Sequence, residues 1–134
     1  MSIKVGLADH FGWAVAVSVW DDDCDNDATD RAARYPVVDR RRIELVGPGV
    51  TPAPIHYDGK RLDVDAAAAL VAHVRASIAD AASAEFERLE SDLGEPVASI
   101  ALRQWPVDFP SDIAIQLRPP YEARADAVMY RQVA

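Results

Sequence analysis

Hydrophobic side chains alternate with small or polar ones over the first twenty residues of the chain. In residues 3–8 every second position is apolar, and residues 13–20 repeat this pattern after an interruption at 9–12. A period of two residues is typical of a strand with one buried face, so these two segments predict a β-hairpin. Residues 35–46 predict a third strand, with a bulge at 39–42.

A longer hydrophobic period begins after a loop rich in proline and glycine at 47–61. Apolar residues then recur in steps of three or four, which predicts a long helix over 63–93. Asp63 is a favourable N-cap for this helix, and Gly94 followed by Pro96 is a typical stop.

Shorter patterns follow the long helix. Residues 97–105 predict a fourth strand, 113–117 predict a short fifth strand, and 121–133 predict a C-terminal helix after two prolines. With no internal repeat and no linker, residues 1–134 are expected to form a single domain. The predicted fold class is α/β with α+β character: a three-stranded N-terminal meander, the long helix, one or two further strands and the C-terminal helix. A mostly antiparallel sheet is expected to pack on the long helix.

The composition is that of a folded globular domain. Of the 134 residues, 50% are hydrophobic and 27% are charged, and the formal net charge is −8 at pH 7. Overall charge of this sign does not favour binding to nucleic acid or to an anionic membrane. The sequence contains neither a long apolar run that would span a membrane nor the apolar core of a signal peptide, so a cytoplasmic location is expected.

An acidic segment at 21–34 lies between the second and third predicted strands. Its D-x-D-x-D pattern at 23–27 matches the start of a calcium-binding loop, but Ala28 and Arg34 stand where such a loop needs glycine and glutamate. The segment is therefore expected to be a solvated, mobile hairpin tip. Cys24 is the one cysteine, which excludes a disulfide framework and a cysteine-rich zinc module.

The first polar candidates lie at the end of the first predicted strand. Asp9 keeps the phase of the apolar residues before it, so its carboxylate is expected to point toward the core. A carboxylate there must be paired, hydrogen-bonded or metal-bound, unless the turn re-aims it toward backbone amides. His10 follows Asp9, and His56 lies in the proline-rich loop. Either histidine can act as an acid, a base or a ligand, or can be exposed without a role.

Further polar candidates lie in the second half of the chain and at 40–42. Glu122 and Asp126 are four residues apart and share one face of the C-terminal helix, although acids near a helix start also favour its dipole. Arg103 in the fourth strand and Tyr121 at the start of the last helix are candidates for ligand binding. The arginines at 40–42 can contact phosphate or pair with acids across strands.

Two segments resemble ribonuclease-H-like nucleases of the Holliday-junction-resolvase type. The sequence V-G-L-A-D-H-F-G-W-A-V resembles the opening strand, catalytic aspartate, glycine turn and second strand of that family, and A-D-A-V resembles its acid-bearing last helix. The predicted β-β-β-α-β order agrees with this resemblance. It implies a phosphodiester cleavage with two metal ions, Mg²⁺ or Mn²⁺, held by Asp9, Asp126 and Glu122.

A second resemblance covers most of the chain. The patterns D-H-x-G-W-A-V, D-R-R-R-x-E-L and A-D-x-V-M-Y-R are similar to those of short uncharacterised bacterial proteins. No activity is implied by this second resemblance.

Three functional hypotheses follow. The first is a metal-dependent phosphoester hydrolase of ribonuclease-H-like type, in which Asp9, Glu122 and Asp126 hold the metal and His10 or His56 transfers a proton. The second is a non-catalytic oligomeric binding or scaffolding protein. The third is a small-molecule pocket that uses His10, His56, Arg103 and Tyr121.

The length of the predicted long helix favours a homodimer. A straight helix over 63–93 would span about 46 Å, which exceeds the diameter of about 36 Å expected for a compact domain of this size. The helix is therefore expected to break near Ser83 or to project and expose Phe86, Leu89 and Leu93. Exposed side chains of this kind predict a dimer interface at or near 82–93.

Overall fold

The computed structural model describes residues 1–21 and 35–134. Their elements, in chain order, are β1 (Ser2–Asp9), β2 (Trp13–Asp21), β3 (Val37–Glu44), α1 (Val64–Leu93), β4 (Val97–Ala101), α2 (Ile113–Gln116) and α3 (Ala125–Val133). Short helical turns lie at Pro54–Asp58, Gly59–Arg61 and Tyr121–Ala123. The α/β class is thus confirmed. No helix in the described part of the chain is long and apolar enough to cross a membrane.

The strands form one mixed sheet in the order β3-β2-β1-β4. β1 pairs antiparallel with β2, from Ser2 opposite Asp21 to Asp9 opposite Ala14, and β2 pairs antiparallel with β3. The chain then passes through α1 and returns as β4, which pairs parallel with β1. The predicted hairpin and the mostly antiparallel sheet are confirmed, and β1 lies inside the sheet with β4 as its parallel neighbour.

Two local features shape the strand ends. Gly12 adopts a φ of 87°, in the left-handed region that favours glycine, and the His10 amide donates to the Trp13 carbonyl over 2.8 Å. The β2–β3 register shifts between Ser18 and Val19, whose partners are Asp39 and Val37. This irregularity lies at the edge of the predicted bulge. The predictions for 22–34, a calcium-loop pattern and a mobile hairpin tip, lie outside the described residues.

One face of the sheet carries the hydrophobic core. Alternate residues of the strands are buried against α1 and α3, as a period of two requires. The core comprises Ile3, Val5, Leu7, Ala14, Ala16 and Ile43 from the sheet, Val71, Val74, Ile78, Ala82 and Leu89 from α1, and Ala125, Met129 and Tyr130 from α3. We call the opposite side the outer sheet face and define it by Gly6, Ala8, Val15, Val17 and Ala101.

The long helix has the predicted ends. The Asp63 carboxylate accepts a hydrogen bond of 2.7 Å from the Ala66 amide, which caps the first turn. Gly94 ends α1 with a φ of 72°, and its amide donates to the Glu90 carbonyl over 2.8 Å. Between these caps the helix is continuous for 30 residues.

The prediction that α1 breaks near Ser83 is wrong, and so is the prediction that its last turns are exposed. Leu89 is only 1% exposed, and Phe86 and Leu93 pack against the core. The last turns of α1 lie beside the sheet: the Arg41 guanidinium of β3 pairs with Asp92, and the Val97 amide of β4 donates to the Glu90 carboxylate over 2.7 Å. Of the apolar residues on which the predicted dimer interface at 82–93 depended, Leu89 is buried and Phe86 and Leu93 are partly buried by the chain itself.

The region after β4 differs from the prediction in three ways. Residues 113–116 form a short helix rather than a fifth strand, because the Asp112 carboxylate caps the Ala114 amide over 2.9 Å. The final helix begins at Ala125, after a separate 3₁₀ turn. β4 ends at Ala101 rather than near residue 105. Beyond it the chain leaves the sheet, and the Gln104 carbonyl accepts a hydrogen bond from the Arg131 guanidinium of α3.

Candidate functional site

Polar and aromatic side chains from two distant segments meet at the carboxyl end of β1. Asp9, His10 and Phe11 come from the end of β1 and the turn after it, and Arg131 comes from α3. Together with Ala127 they line a shallow, open cavity of about 230 Å³. In sheets with parallel strands, ligands commonly bind outside the carboxyl ends of those strands. We call this group the β1-end site.

The ion pair between Asp9 and Arg131 is the most buried polar contact of the β1-end site. Arg131 Nε lies 3.2 and 3.4 Å from the two carboxylate oxygens of Asp9, and the two side chains are 17% and 6% exposed. Arg131 Nη1 also donates to the Gln104 carbonyl over 3.4 Å. The prediction that Asp9 points inward and requires a partner is confirmed. Arg131 holds the carboxylate in place and neutralises its charge.

His10 stacks on the ring of Trp13, its neighbour across the turn. The ring centroids are 4.1 Å apart and the planes differ by 13°. The Arg42 guanidinium lies 4.4 Å from the centroid of the same indole. This stack fixes the orientation of an exposed imidazole beside the cavity.

Phe11 and His56 extend the site with further exposed rings. The Phe11 ring is 6.5 Å from the His56 ring, which in turn is 5.3 Å from the ring of Tyr57. Phe11 is 39% exposed and Tyr57 is 57% exposed. The Pro54–Asp58 turn presents these rings because its own apolar residues, Pro54 and Ile55, are buried.

Asp126 holds this turn against α3. Its carboxylate accepts hydrogen bonds from the Ile55 amide over 3.0 Å and the His56 amide over 2.8 Å, and the residue is 2% exposed. Burial raises the pKa of Asp126, while the two amide donors act in the opposite direction. One helical turn later, the Tyr130 hydroxyl donates to the Pro52 carbonyl over 2.5 Å, and burial raises its pKa. Asp126 therefore positions His56 through its backbone.

The carboxylates do not form a ligand set for a divalent metal. No group of three or more His, Cys, Asp and Glu side chains within residues 1–21 and 35–134 is placed to hold a metal ion. The Asp9 oxygens face Arg131, and those of Asp126 face two amides. The residues predicted to bind Mg²⁺ or Mn²⁺ thus do not fit such an ion in this arrangement.

Three remaining candidates lie away from the β1-end site. Arg103 follows β4 and lines a depression on the outer sheet face. The Tyr121 ring packs edge-on against Phe109 at 5.8 Å, and Glu122 lies in the turn before α3. Asp126 borders a second cavity of about 170 Å³ between α1, α2 and α3, which Asp9 does not line. Of the four residues proposed for a small-molecule pocket, His10 lines the cavity of the β1-end site, and the His56 ring lies 6.5 Å from that of Phe11.

Sequence reasoning missed Arg131 and Phe11 as site residues. The sequence did indicate that Asp9 needs a partner, because Asp9 continues the alternation of buried residues in β1 and a buried carboxylate requires a cation or several hydrogen-bond donors. Nothing in the local sequence pairs residue 9 with residue 131, so the partner could not be chosen. A single phenylalanine in a turn does not by itself indicate a binding site, so Phe11 could not be identified from the sequence.

Comparisons with protein-family models, with curated proteins and with solved structures find no match to this chain.

Proposed function

We propose that this chain binds a small planar heterocycle, of the kind found in nucleobases, at the β1-end site. The observation that carries the proposal is the convergence of a buried carboxylate–guanidinium pair with the exposed rings of His10 and Phe11 around one cavity, with the His56 ring 6.5 Å from that of Phe11. An adjacent acceptor and donor suit the edge of a heterocycle that itself carries both groups. The cavity, at about 230 Å³, is below the size of a typical drug-sized site and suits one ring system.

The ring cluster supplies the other half of the recognition. Exposed aromatic side chains form stacking platforms for planar ligands, at about 1–3 kcal/mol per base in nucleic-acid-binding proteins. Phe11 and His56 lie on different segments, and the hydrogen bonds of Asp126 hold the second segment in place. Because Asp9 and Arg131 neutralise one another, the site favours an uncharged heterocycle over a simple anion.

Calorimetric titration with adenosine, guanosine, cytidine and uridine tests this proposal. We expect at least one nucleoside to bind. We expect Phe11→Ala and His56→Ala each to weaken it about tenfold, because each removes one stacking surface. His73→Ala, which removes an exposed histidine on α1, is the matched control and should leave the affinity unchanged. Absence of binding for all four nucleosides at millimolar concentration, or equal affinity in Phe11→Ala, would contradict the proposal.

Metal-dependent phosphoester hydrolysis stays a prediction of the ribonuclease-H-like resemblance. The β-β-β-α-β order and the aspartate at the end of β1 agree with that resemblance, while the placement of the carboxylates supplies no metal ligand set. Repeating the titration with the matching nucleoside 5′-monophosphates, with and without Mg²⁺, separates the two hypotheses. Tighter binding that requires both the phosphate and Mg²⁺ would favour the hydrolase.

A further inference from the structure

The outer sheet face is an apolar surface that no described helix covers. The core helices pack on the opposite side, and two shallow depressions on the outer face are lined by residues of the sheet and the two residues after β4. Val15 and Val17 of β2 form a ridge on this face. Beside the ridge, Gly6 and Ala8 of β1 form the floor of a trough.

Within residues 1–21 and 35–134, neither the backbone conformation nor the packing requires glycine at position 6. Its φ is not positive, so the backbone does not require glycine, and a Cβ placed there would meet no atom within 4 Å. Glycine inside a strand weakens the strand, and it often marks a place where a ligand or another backbone approaches closely. No atom of residues 1–21 and 35–134 lies in the space above Gly6, so within that part of the chain the space is free to receive another group.

Positive charge borders this trough on both sides. In the register Arg40 lies opposite Val17, so it projects from the outer sheet face, and Arg103 lines a depression beyond β4. Within residues 1–21 and 35–134, neither arginine makes a hydrogen bond or an ion pair. Two further cations of this face, Lys4 and Arg42, are paired with Asp21 and Glu44. Among the described residues, an excess of positive charge therefore marks one face of the sheet, although the net charge of the chain is −8.

The spacing of these charges matches the width of a helix. Arg40 on β3 and Arg103 beyond β4 are separated by three strand intervals, about 14 Å. An α-helix with its side chains is about 10–12 Å wide, so a helix lying along β1 fits between them. Helices cover both faces of many α/β sheets, and here the second layer is missing from the described residues.

From these observations we infer that the outer sheet face docks an amphipathic helix of a partner protein, with its apolar stripe over Gly6 and acidic side chains beside Arg40 and Arg103. A second copy of this chain is a poorer occupant. Face-to-face pairing would bring two sets of unpaired arginines into one interface, and like charges brought together there cost affinity.

A set of three designed peptides tests the inference. Each carries leucines at i, i+3, i+4 and i+7 over 18 residues of helix, flanked by glutamate, glutamine or lysine. Fluorescence anisotropy of the labelled peptides against the full chain should show the glutamate peptide binding at least about tenfold more tightly than the lysine peptide. The double variant Arg40→Glu/Arg103→Glu should reverse this order, whereas Arg118→Glu, an exposed arginine on the helical side, should not.

Gly6→Val provides the second variant. A β-branched residue suits a strand, and the space above Gly6 is open, so the melting temperature should stay the same or rise. The added side chain fills the trough and should abolish binding of the glutamate peptide. Equal affinity for the three peptides, no binding of the glutamate peptide, or unchanged binding by Gly6→Val would overturn the inference. Self-association that Gly6→Val abolishes would also overturn it, by identifying a second copy as the occupant.

Discussion

At the scale of the residue, Asp9 and Asp126 show how similar sequence signals lead to different roles. Both aspartates were candidates for the same metal centre, and both are largely buried. Asp9 is compensated by the guanidinium of Arg131, whereas Asp126 is compensated by two backbone amides of the Pro54–Asp58 turn. The sequence predicts that a buried carboxylate has a partner, but the identity of that partner depends on tertiary contacts across 70 or more residues.

Replacement of Asp126 by alanine should destabilise the fold. The change leaves the Ile55 and His56 amides without their acceptor, and an unsatisfied buried donor costs about 1–3 kcal/mol. The change also removes the cost of burying the charged carboxylate, which offsets part of this penalty. We therefore expect a total loss of about 2–4 kcal/mol in the free energy of unfolding. Chemical denaturation at neutral pH measures this loss. Asp112→Ala, which removes an exposed cap, should cost about 1 kcal/mol as a control.

The pH dependence of this loss follows from the raised pKa of Asp126. A carboxyl group whose pKa is higher in the folded state than in the unfolded state binds protons more readily when folded. Its contribution to stability is therefore fully present below the unfolded pKa and declines as pH rises through the folded pKa. The stability difference between the wild type and Asp126→Ala should grow as pH falls from neutral toward acid. A difference that shrinks in acid would contradict the assignment.

At the scale of the element, the strongest patterns predicted the correct structure. The alternation in β1 and β2 and the caps at Asp63 and Gly94 led to the hairpin and to both ends of α1. The segment 113–117 was wrongly predicted as a strand, because alternation over five residues also fits a single helical turn. Asp112 was the better signal in this segment, because its carboxylate accepts a hydrogen bond from the Ala114 amide at the start of the helix. In a strand, that amide would need a partner on a neighbouring strand.

Leu89→Ala tests whether the last turns of α1 belong to the core. Leu89 is 1% exposed and is part of the main hydrophobic cluster, so truncation leaves a cavity within the chain. We expect a loss of about 2–5 kcal/mol in the free energy of unfolding, measured by urea denaturation. An exposed alanine position on the same helix, changed as Ala79→Ser, is the control and should cost well under about 1 kcal/mol. A small loss in Leu89→Ala would mean that this end of the helix is solvent-exposed or needs a partner.

At the scale of the whole molecule, the β1-end site could be predicted only in part. Asp9, His10 and His56 were recognised as candidates, and the structure places them on segments that meet near Phe11. Their meeting depends on α3, which contacts both β1 and the Pro54–Asp58 turn. The hydrophobic periodicity of each segment does not predict which segments α3 contacts. The helix length predicted a projecting end because the domain was taken as a sphere, whereas Leu89 is buried and Phe86 and Leu93 pack against the core.

The oligomeric state depends on both the apolar surfaces and the charges of the molecule. Of the apolar residues that favoured a dimer through α1, Leu89 is buried and Phe86 and Leu93 are partly buried, so that surface offers less apolar area for association than the sequence predicted. The outer sheet face is apolar, but Arg40 and Arg103 would repel their counterparts in a second copy, and the net charge of −8 opposes association at low salt. We therefore expect sedimentation at micromolar concentrations to give a monomer of 14.6 kDa at low salt. High salt screens the repulsion, so a monomer there as well would show that the apolar face alone is insufficient for self-association. A dimer at low salt that persists in Gly6→Val would contradict this view and point to a surface other than the outer sheet face.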